Sequence, residues 1–253
     1  MQQFLTIPAR FRGPPESGNG GYVAGAIAEL YSAAASFPAD PDSALEVTLR
    51  APIPLDRQMT VVADGDSALS VVLGETLIVE ARRTTLKLEI PQPPGFAEAL
   101  VCEAQSPSFL SGINDLIAGT GFHPICFCCG ADVAADEGLH VYAAPVPGFD
   151  GVAAAWTPSP VFADPQGNLP EAIVWAALDC PGQFAYMAEG IRTGMLGRMT
   201  GRLVRPVPAD QNLVIIGWTI EVERSKHFAG TAIFDAEAEL CGYSRQVWIG
   251  RRD

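Results

Sequence analysis

Two short stretches of the chain carry residues whose types and spacing suit chemistry on a carbonyl group. The first is Ser17-Gly18-Asn19-Gly20-Gly21-Tyr22. Asn19 is a good helix N-cap, and Gly20 and Gly21 remove side chains where another group could approach the backbone closely. Free amides at a helix start point at negative charge, such as the charge that develops on an attacked carbonyl oxygen. The same stretch also reads as a plain turn and cap in which close packing demands glycine. The second is Asp179, alone among apolar residues in Ala172–Cys180. A carboxylate buried there is costly unless paired, and its pKa is normally displaced. Such a group could activate water, or attack a carbonyl itself. It could instead simply cap a segment broken by Pro181. Glu29, ten residues after Asn19, is the rival carboxylate. Gln183, one turn past Asp179, could position water or substrate, or be an ordinary half-exposed helix residue.

His123, Cys126, Cys128 and Cys129 form the other chemical cluster. Read as Cys-x-Cys-Cys, the run lacks the usual paired spacing of a zinc site, and the reading favoured is a structural loop with no metal. A nucleophilic cysteine would need a paired base, and His123 is the neighbour in sequence. Arg82, Arg83, Lys87, Arg202, Arg205, Arg224 and Lys226 lie in or near strands. A few could hold phosphates, although the favoured reading for any one of them is a solvated strand face. The segment GNGGYVAG lacks both the G-x-G-x-x-G pattern and a βαβ setting, so a dinucleotide fold is rejected.

The elements that must position these groups follow from pattern. The run from about residue 20 to 36 predicts a helix apolar on most faces, hence buried, and Pro38 and Pro41 stop it. Phe4–Ile7 suggests a short edge strand. Strand signals cover Leu45–Leu49, Met59–Ala63, Leu69–Leu73 and Thr76–Ile90. A short helix is expected at Phe96–Glu103, and strands at Leu139–Ala143 and Val152–Trp156. Pro170 opens a second small-residue helix that Pro181 should bend or interrupt. Four strands follow, at about 196–205, 212–223, 227–236 and 239–249.

The two halves repeat. At a shift of 154, Leu49, Pro52, Pro54 and Asp56 fall on Leu203, Pro206, Pro208 and Asp210. Each half is then helix, strand, x-Pro-x-Pro-x-Asp turn and three further strands, which argues for a duplicated unit. The same shift sets Gln183 opposite Glu29 and Gly25 opposite Asp179, so the halves carry unequal polar groups and at most one competent site is expected.

The composition is compatible with a large core. The chain has 253 residues, 48% hydrophobic and 18% charged, with a formal net charge of −13. That charge argues against nucleic acid and against an anionic membrane surface as partners. No apolar run is long enough to span a membrane, and the N-terminal MQQFLTIPARFRGPP does not read as a signal peptide. A cytoplasmic protein with reduced cysteines is expected.

A helix embraced by an antiparallel sheet, duplicated in tandem, resembles the α+β double hotdog fold of acyl-CoA thioesterases. RGPPESGNGGYVAGAIA at 12–28 resembles the segment where such enzymes often carry His-Gly-Gly. CFCCG at 126–130, WTPSP at 156–160 and VWAALDCPG at 174–182 resemble an actinobacterial thioesterase-like group. The resemblance spans nearly the whole chain and implies hotdog units at 1–119 and 169–253. Residues 120–168 would be a connection with the first strands of the second unit. It implies an acyl-CoA or other acyl-thioester as substrate, no cofactor, and a preference for a homodimer. Gly20, Gly21 and Tyr22 would meet the substrate, and Asp179, Glu29, Gln183 and Asn19 would supply the catalytic groups. Asn19 stands where the family often has His, which leaves open a protein that binds acyl thioesters or lipids without hydrolysing them. Hydration or dehydration of an acyl thioester would want a His base, for which only His123, His140 and His227 are available.

Overall fold

The computed structural model describes residues 3–34, 42–65, 67–110 and 123–250. Eleven strands form one antiparallel sheet: β1 (Gln3–Leu5), β2 (Ser43–Leu49), β3 (Met59–Asp64), β4 (Ala68–Leu73), β5 (Thr76–Thr85), β6 (Ala144–Pro145), β7 (Val152–Trp156), β8 (Met195–Leu203), β9 (Leu213–Glu223), β10 (Lys226–Phe234) and β11 (Leu240–Ile249). The α-helices are α1 (Gly20–Ala34), α2 (Phe96–Cys102), α3 (Pro107–Leu110), α4 (Glu171–Ala177) and α5 (Asp179–Ala188). The sheet order is β1-β3-β4-β5-β2-β8-β11-β10-β9-β7-β6. Outward from the β2/β8 seam, β2-β5-β4-β3-β1 on one side matches β8-β11-β10-β9-β7 on the other, as a duplication with pseudo-twofold symmetry requires, and β6 is an addition at the second edge. The seam is a ladder from Leu45↔Gly201 to Thr48↔Arg198, so two units share one sheet. Helices α1 and α4 lie against its inner face and pack on each other. This is the tandem hotdog arrangement.

The repeat is visible in backbone detail. Asp56 and Asp210, 154 positions apart, both adopt positive φ (54° and 61°). Such a conformation is uncommon for any residue except glycine, and Asp is among those that tolerate it. The helices, however, are offset differently. Gly18 N donates to Ile53 O and Leu169 N to Val207 O, both bonds closing the lead-in onto the Pro-rich turn. Ile53 and Val207 are 154 apart, but Gly18 and Leu169 are 151 apart. On this register Asn19 corresponds to Pro170, Gly21 to Ala172, and Asp179 to Ala28 rather than Gly25. The assumption of one shift throughout misaligns the helices by three residues.

The second helix breaks where proline chemistry demands. Pro181 has no amide hydrogen to offer Ala177 O, and its ring crowds that turn. The helix is interrupted at Leu178, whose backbone stays in the right-handed helical region with ψ opened to −7°, and restarts at Asp179. Side chains take up the carbonyls at the break. Cys128 Sγ donates to Ala177 O at 4.0 Å and Gln246 Nε2 to Leu178 O at 2.5 Å. Gln246 is itself held by Trp248 Nε1 at 2.8 Å. Gly182 makes room for it, since a Cβ there would lie 2.0 Å from Gln246 Oε1.

Two cores flank the sheet. The larger lies between the inner face and α1, α4 and α5 and runs through both units. The smaller lies on the outer face of the second unit, where Ala99 and Cys102 of α2 pack on Ala153, Val214, Ile216 and Trp218.

Several expectations need correction. Leu139–Ala143 is not a strand. His140 adopts a positive φ of 56°, which breaks the extended run, and the segment is bonded to the cysteine loop, with Leu139 N donating to Phe127 O and Val141 N to Cys128 O. The strand lies just beyond, at β6. The edge strand β1 ends at Leu5, and Ile7 makes an isolated bridge to Leu55. The expected helix end at 36, with its stops at Pro38 and Pro41, falls outside the described residues.

Candidate active site

Asn19 caps α1 as its sequence position suggests. Its Oδ1 accepts from Tyr22 N at 2.8 Å, and its backbone carbonyl accepts from Val23 N at 3.0 Å. The first bond satisfies one of the four amides a helix start leaves open, and the second is the first bond of the helix itself. The Gly21 amide turns across the helix pair and donates to Asp179 Oδ2 at 3.0 Å. The Gly20 amide is directed toward the same carboxylate and lies beside the cavity.

Asp179 reaches this point because the break at Leu178 starts a new helix there. Its carboxylate, only 3% exposed, sits between the N-termini of α1 and α5. Burial pushes its pKa up to about 7, against the opposing pull of the Gly21 amide. The other oxygen, Oδ1, is buried with no hydrogen-bond partner.

A cavity of about 250 Å³ opens on this carboxylate. Asp179, Gly20 and Cys180 lie along it. Apolar walls come from Leu49, Ile53, Leu196 and Trp248. It is close to the lower end of small-molecule pockets in size. Arg50 stands at its rim, exposed and bonded through Nε to Glu80 Oε2 at 2.5 Å. The strand signal at Leu45–Leu49 stops one residue short of Arg50. The signal that could have singled it out is the repeat itself, because Val204 holds the matching place in the second half.

The remaining candidates are sorted by position. Glu29 is exposed and far down α1, where its Oε1 accepts from Ala172 N at 3.0 Å and caps α4. Gln183 is fully buried, not half-exposed, and its Nε2 donates to Gly194 O at 3.0 Å. It is absent from the cavity wall. Tyr22 stacks on Phe11 with ring centroids 3.8 Å apart and meets Phe127 edge-on. Burial pushes its pKa up to about 12. It supports the loop from behind and does not line the cavity.

The two glycines differ in their surroundings: Gly20 lines the cavity and Gly21 does not. A Cβ on Gly21 would sit 2.4 Å from Trp175 O, so close helix packing requires glycine there. A Cβ on Gly20 would point at Leu196 Cδ2, 2.8 Å away, across the cavity wall. Gly21's amide is committed to Asp179, and Gly20's, directed at the same carboxylate, is the one of the pair that borders the cavity.

The histidines stand apart from the carboxylate. His227 packs edge-on to Tyr186, and His140 bonds Val133 O at 3.1 Å and stacks on Tyr142. His123 is half-buried, its pKa lowered by that burial. Arg82, Lys87 and Arg205 pair with acidic neighbours on the surface. Arg83 lies over the Tyr31 ring. The cysteine cluster also differs from the expected set. Cys126, Cys129 and Cys180 bring their sulfurs together, while His123 and Cys128 lie outside the group. Among the described residues no helix is long and apolar enough to cross a membrane.

No protein-family model matches the chain, and no curated protein sequence does either. Solved structures do match over its whole length. A TesB protein of Mycobacterium avium subsp. paratuberculosis is 12% identical, with a TM-score of 0.62 over 99% of this chain and 93% of its own. A protein provisionally described as a thioesterase from Novosphingobium aromaticivorans is 10% identical, with a TM-score of 0.61 over 99% and 96%. A protein of unknown function with a hotdog fold from Alicyclobacillus acidocaldarius is 12% identical, with a TM-score of 0.54 over 100% and 94%. At these identities the likeness is one of fold, and the fold it shares with this chain is the tandem hotdog.

Proposed function

We propose that the chain hydrolyses acyl thioesters of the acyl-CoA type at the cavity beside Asp179. One observation carries the reading: a buried carboxylate has one oxygen held by the Gly21 amide and the other free beside the cavity. Geometry of this kind suits a general base. In the step proposed, Asp179 takes a proton from water as the water oxygen attacks the thioester carbonyl carbon. Negative charge builds on the carbonyl oxygen, where the Gly20 amide and the start of α1 stabilise it. Collapse breaks the carbon–sulfur bond, and Asp179 returns the proton to the departing thiolate. The acyl chain would lie against Leu49, Ile53 and Leu196, and Arg50 at the rim would meet a phosphate of the carrier. Two chains would pair, and the units would divide at 119/120 and 168/169.

A second reading has its own observation. Because the Gly21 amide is occupied by Asp179 and Asn19 replaces the usual His, the same cavity suits binding without turnover. Release of thiol from short, medium and long acyl-CoA thioesters, with Asp179→Asn alongside, separates the two. Turnover lost in a folded Asp179→Asn protein supports hydrolysis. Unchanged turnover in the variant removes Asp179 from the mechanism. Saturable binding with no thiol released by the wild type favours the binding protein.

A further inference from the structure

The run Cys126-Phe127-Cys128-Cys129-Gly130 contains a second spacing that reading it as Cys-x-Cys-Cys conceals. Cys126 and Cys129 are separated by two residues and followed by glycine, the spacing of one half of many zinc sites. The backbone there is a closed turn. Gly130 N donates to Cys126 O at 2.8 Å, and Cys126 N to His123 O at 3.0 Å. A Cβ at Gly130 would lie 2.4 Å from Pro124 O and 2.6 Å from Cys126 N, so only glycine closes it. The amides of Cys128 and Cys129 both turn toward the Cys126 sulfur.

The third sulfur comes from a distant part of the chain. Cys180 lies in the first turn of α5, and its Sγ is 3.8 Å from Cys126 Sγ. The sulfurs of Cys126, Cys129 and Cys180 all lie within 4.8 Å of one another, and each residue is at most 4% exposed. Asn19 Nδ2 adds a donor to Cys126 Sγ at 3.8 Å. Sulfur is a weak acceptor, so this concentration of donors on one atom suits a thiolate. Cys128, by contrast, has its sulfur turned to Ala177 O. The proposed hydrolysis uses none of the three sulfurs.

We propose that Cys126, Cys129 and Cys180 form a zinc(II) site, with a fourth coordination position open to the cavity. Three protein ligands and one open position form a familiar zinc arrangement, and soft thiolates favour zinc over hard cations. Cys126 and Cys180 both border the cavity, so water can complete the shell. Binding converts three thiols to thiolates and releases their protons to solvent. The site stands on the sulfurs alone and does not rest on the hydrolase reading.

The test is cobalt(II) titration of the full-length protein, purified under reducing conditions and stripped with a chelator. The expected result is one cobalt per chain with thiolate-to-cobalt charge-transfer absorption that zinc abolishes. Cys129→Ser and Cys180→Ser should lose the band, while Cys128→Ser and Cys241→Ser should keep it. Far-UV circular dichroism checks each fold, and Cys180→Ser decides the matter if Cys129→Ser does not fold. Absence of the band in the wild type, or its retention in Cys180→Ser, overturns the site. So does an intact mass two hydrogens light under these conditions with a Cys126–Cys180 crosslink in peptide mapping.

Discussion

The helix pair α1/α4 has two ends, related by the duplication, and they have diverged in opposite directions. At each end a carboxylate accepts a backbone amide at a helix start: Asp179, the first residue of α5, from Gly21 of α1, and Glu29 of α1 from Ala172 of α4. The bonds are equally long at 3.0 Å, yet their settings differ. Asp179 is buried beside a cavity, with glycine at the helix start. Glu29 is exposed, and Pro170, Glu171 and Ala172 stand where Asn19, Gly20 and Gly21 stand at the other end. The same contact is thus a poised, desolvated acid at one end and a solvated helix cap at the other. Burial of the partner, and not the hydrogen bond itself, makes the difference.

That contrast can be broken most directly by exchanging the carboxylates for amides. Asp179→Asn should lower thiol release from an accepted acyl-CoA by roughly 10²–10⁴-fold, the usual worth of a positioned general base. Glu29→Gln should leave the rate within about twofold, since a solvated cap touches no reacting atom. Steady-state kinetics on both variants checks this, and equal losses would erase the distinction between the ends.

The pH dependence of the chelator-treated protein sharpens the comparison. A carboxyl group raised from 3.8 to about 7 binds its proton more tightly in the folded state than in the unfolded state. Its stabilising contribution is complete below about pH 4 and is lost as pH rises through about 7, amounting to roughly 4 kcal/mol. Chemical denaturation at pH 4 to 8 should show this decline in wild type and a flatter profile in Asp179→Asn. Hydrolysis should run the opposite way, rising to a plateau above about pH 7 as the base loses its proton.

The glycines offer a smaller contrast. Gly21→Ala drives a Cβ into the Trp175 carbonyl oxygen and should cost about 1–3 kcal/mol of stability. Gly20→Ala meets the Leu196 and Leu49 side chains and no backbone atom, so it should fold and instead raise KM. Thermal melts and kinetics together separate the two. The smallest effect belongs to the caps. Asn19→Ala should cost about 1 kcal/mol and Glu29→Gln less than that, measured by denaturant unfolding.

Much of the fold was legible because hydrophobic periodicity is a local property. The strands on either side of the seam, the buried helix at 20 and the Pro181 break all follow from residue type and spacing. The misread segment Leu139–Ala143 shows the limit: alternation reports which side chains are buried, not whether a ladder partner lies alongside. In the site, Asp179 and Asn19 could be singled out because each is polar where its neighbours are apolar. Gln183 carries the same signal, but it lies off the cavity wall, with its Nε2 donating to Gly194 O. Arg50 and Gln246 were passed over because an exposed Arg and a strand Gln are unremarkable in sequence.

The sequence by itself determined the duplicated helix-and-strand order, the glycine opening at Gly20 and the proline that ends α4. These follow from backbone stereochemistry and the burial of apolar residues, which act over a few neighbours at a time. Tertiary structure alone decided that Asp179 meets the Gly21 amide from 158 positions away, and that Cys180 joins Cys126. It alone decided that Glu29 remains in solvent. Such pairings depend on how two helices cross and where one of them breaks. Those outcomes are set by the packing of the whole core and by no local pattern of residues.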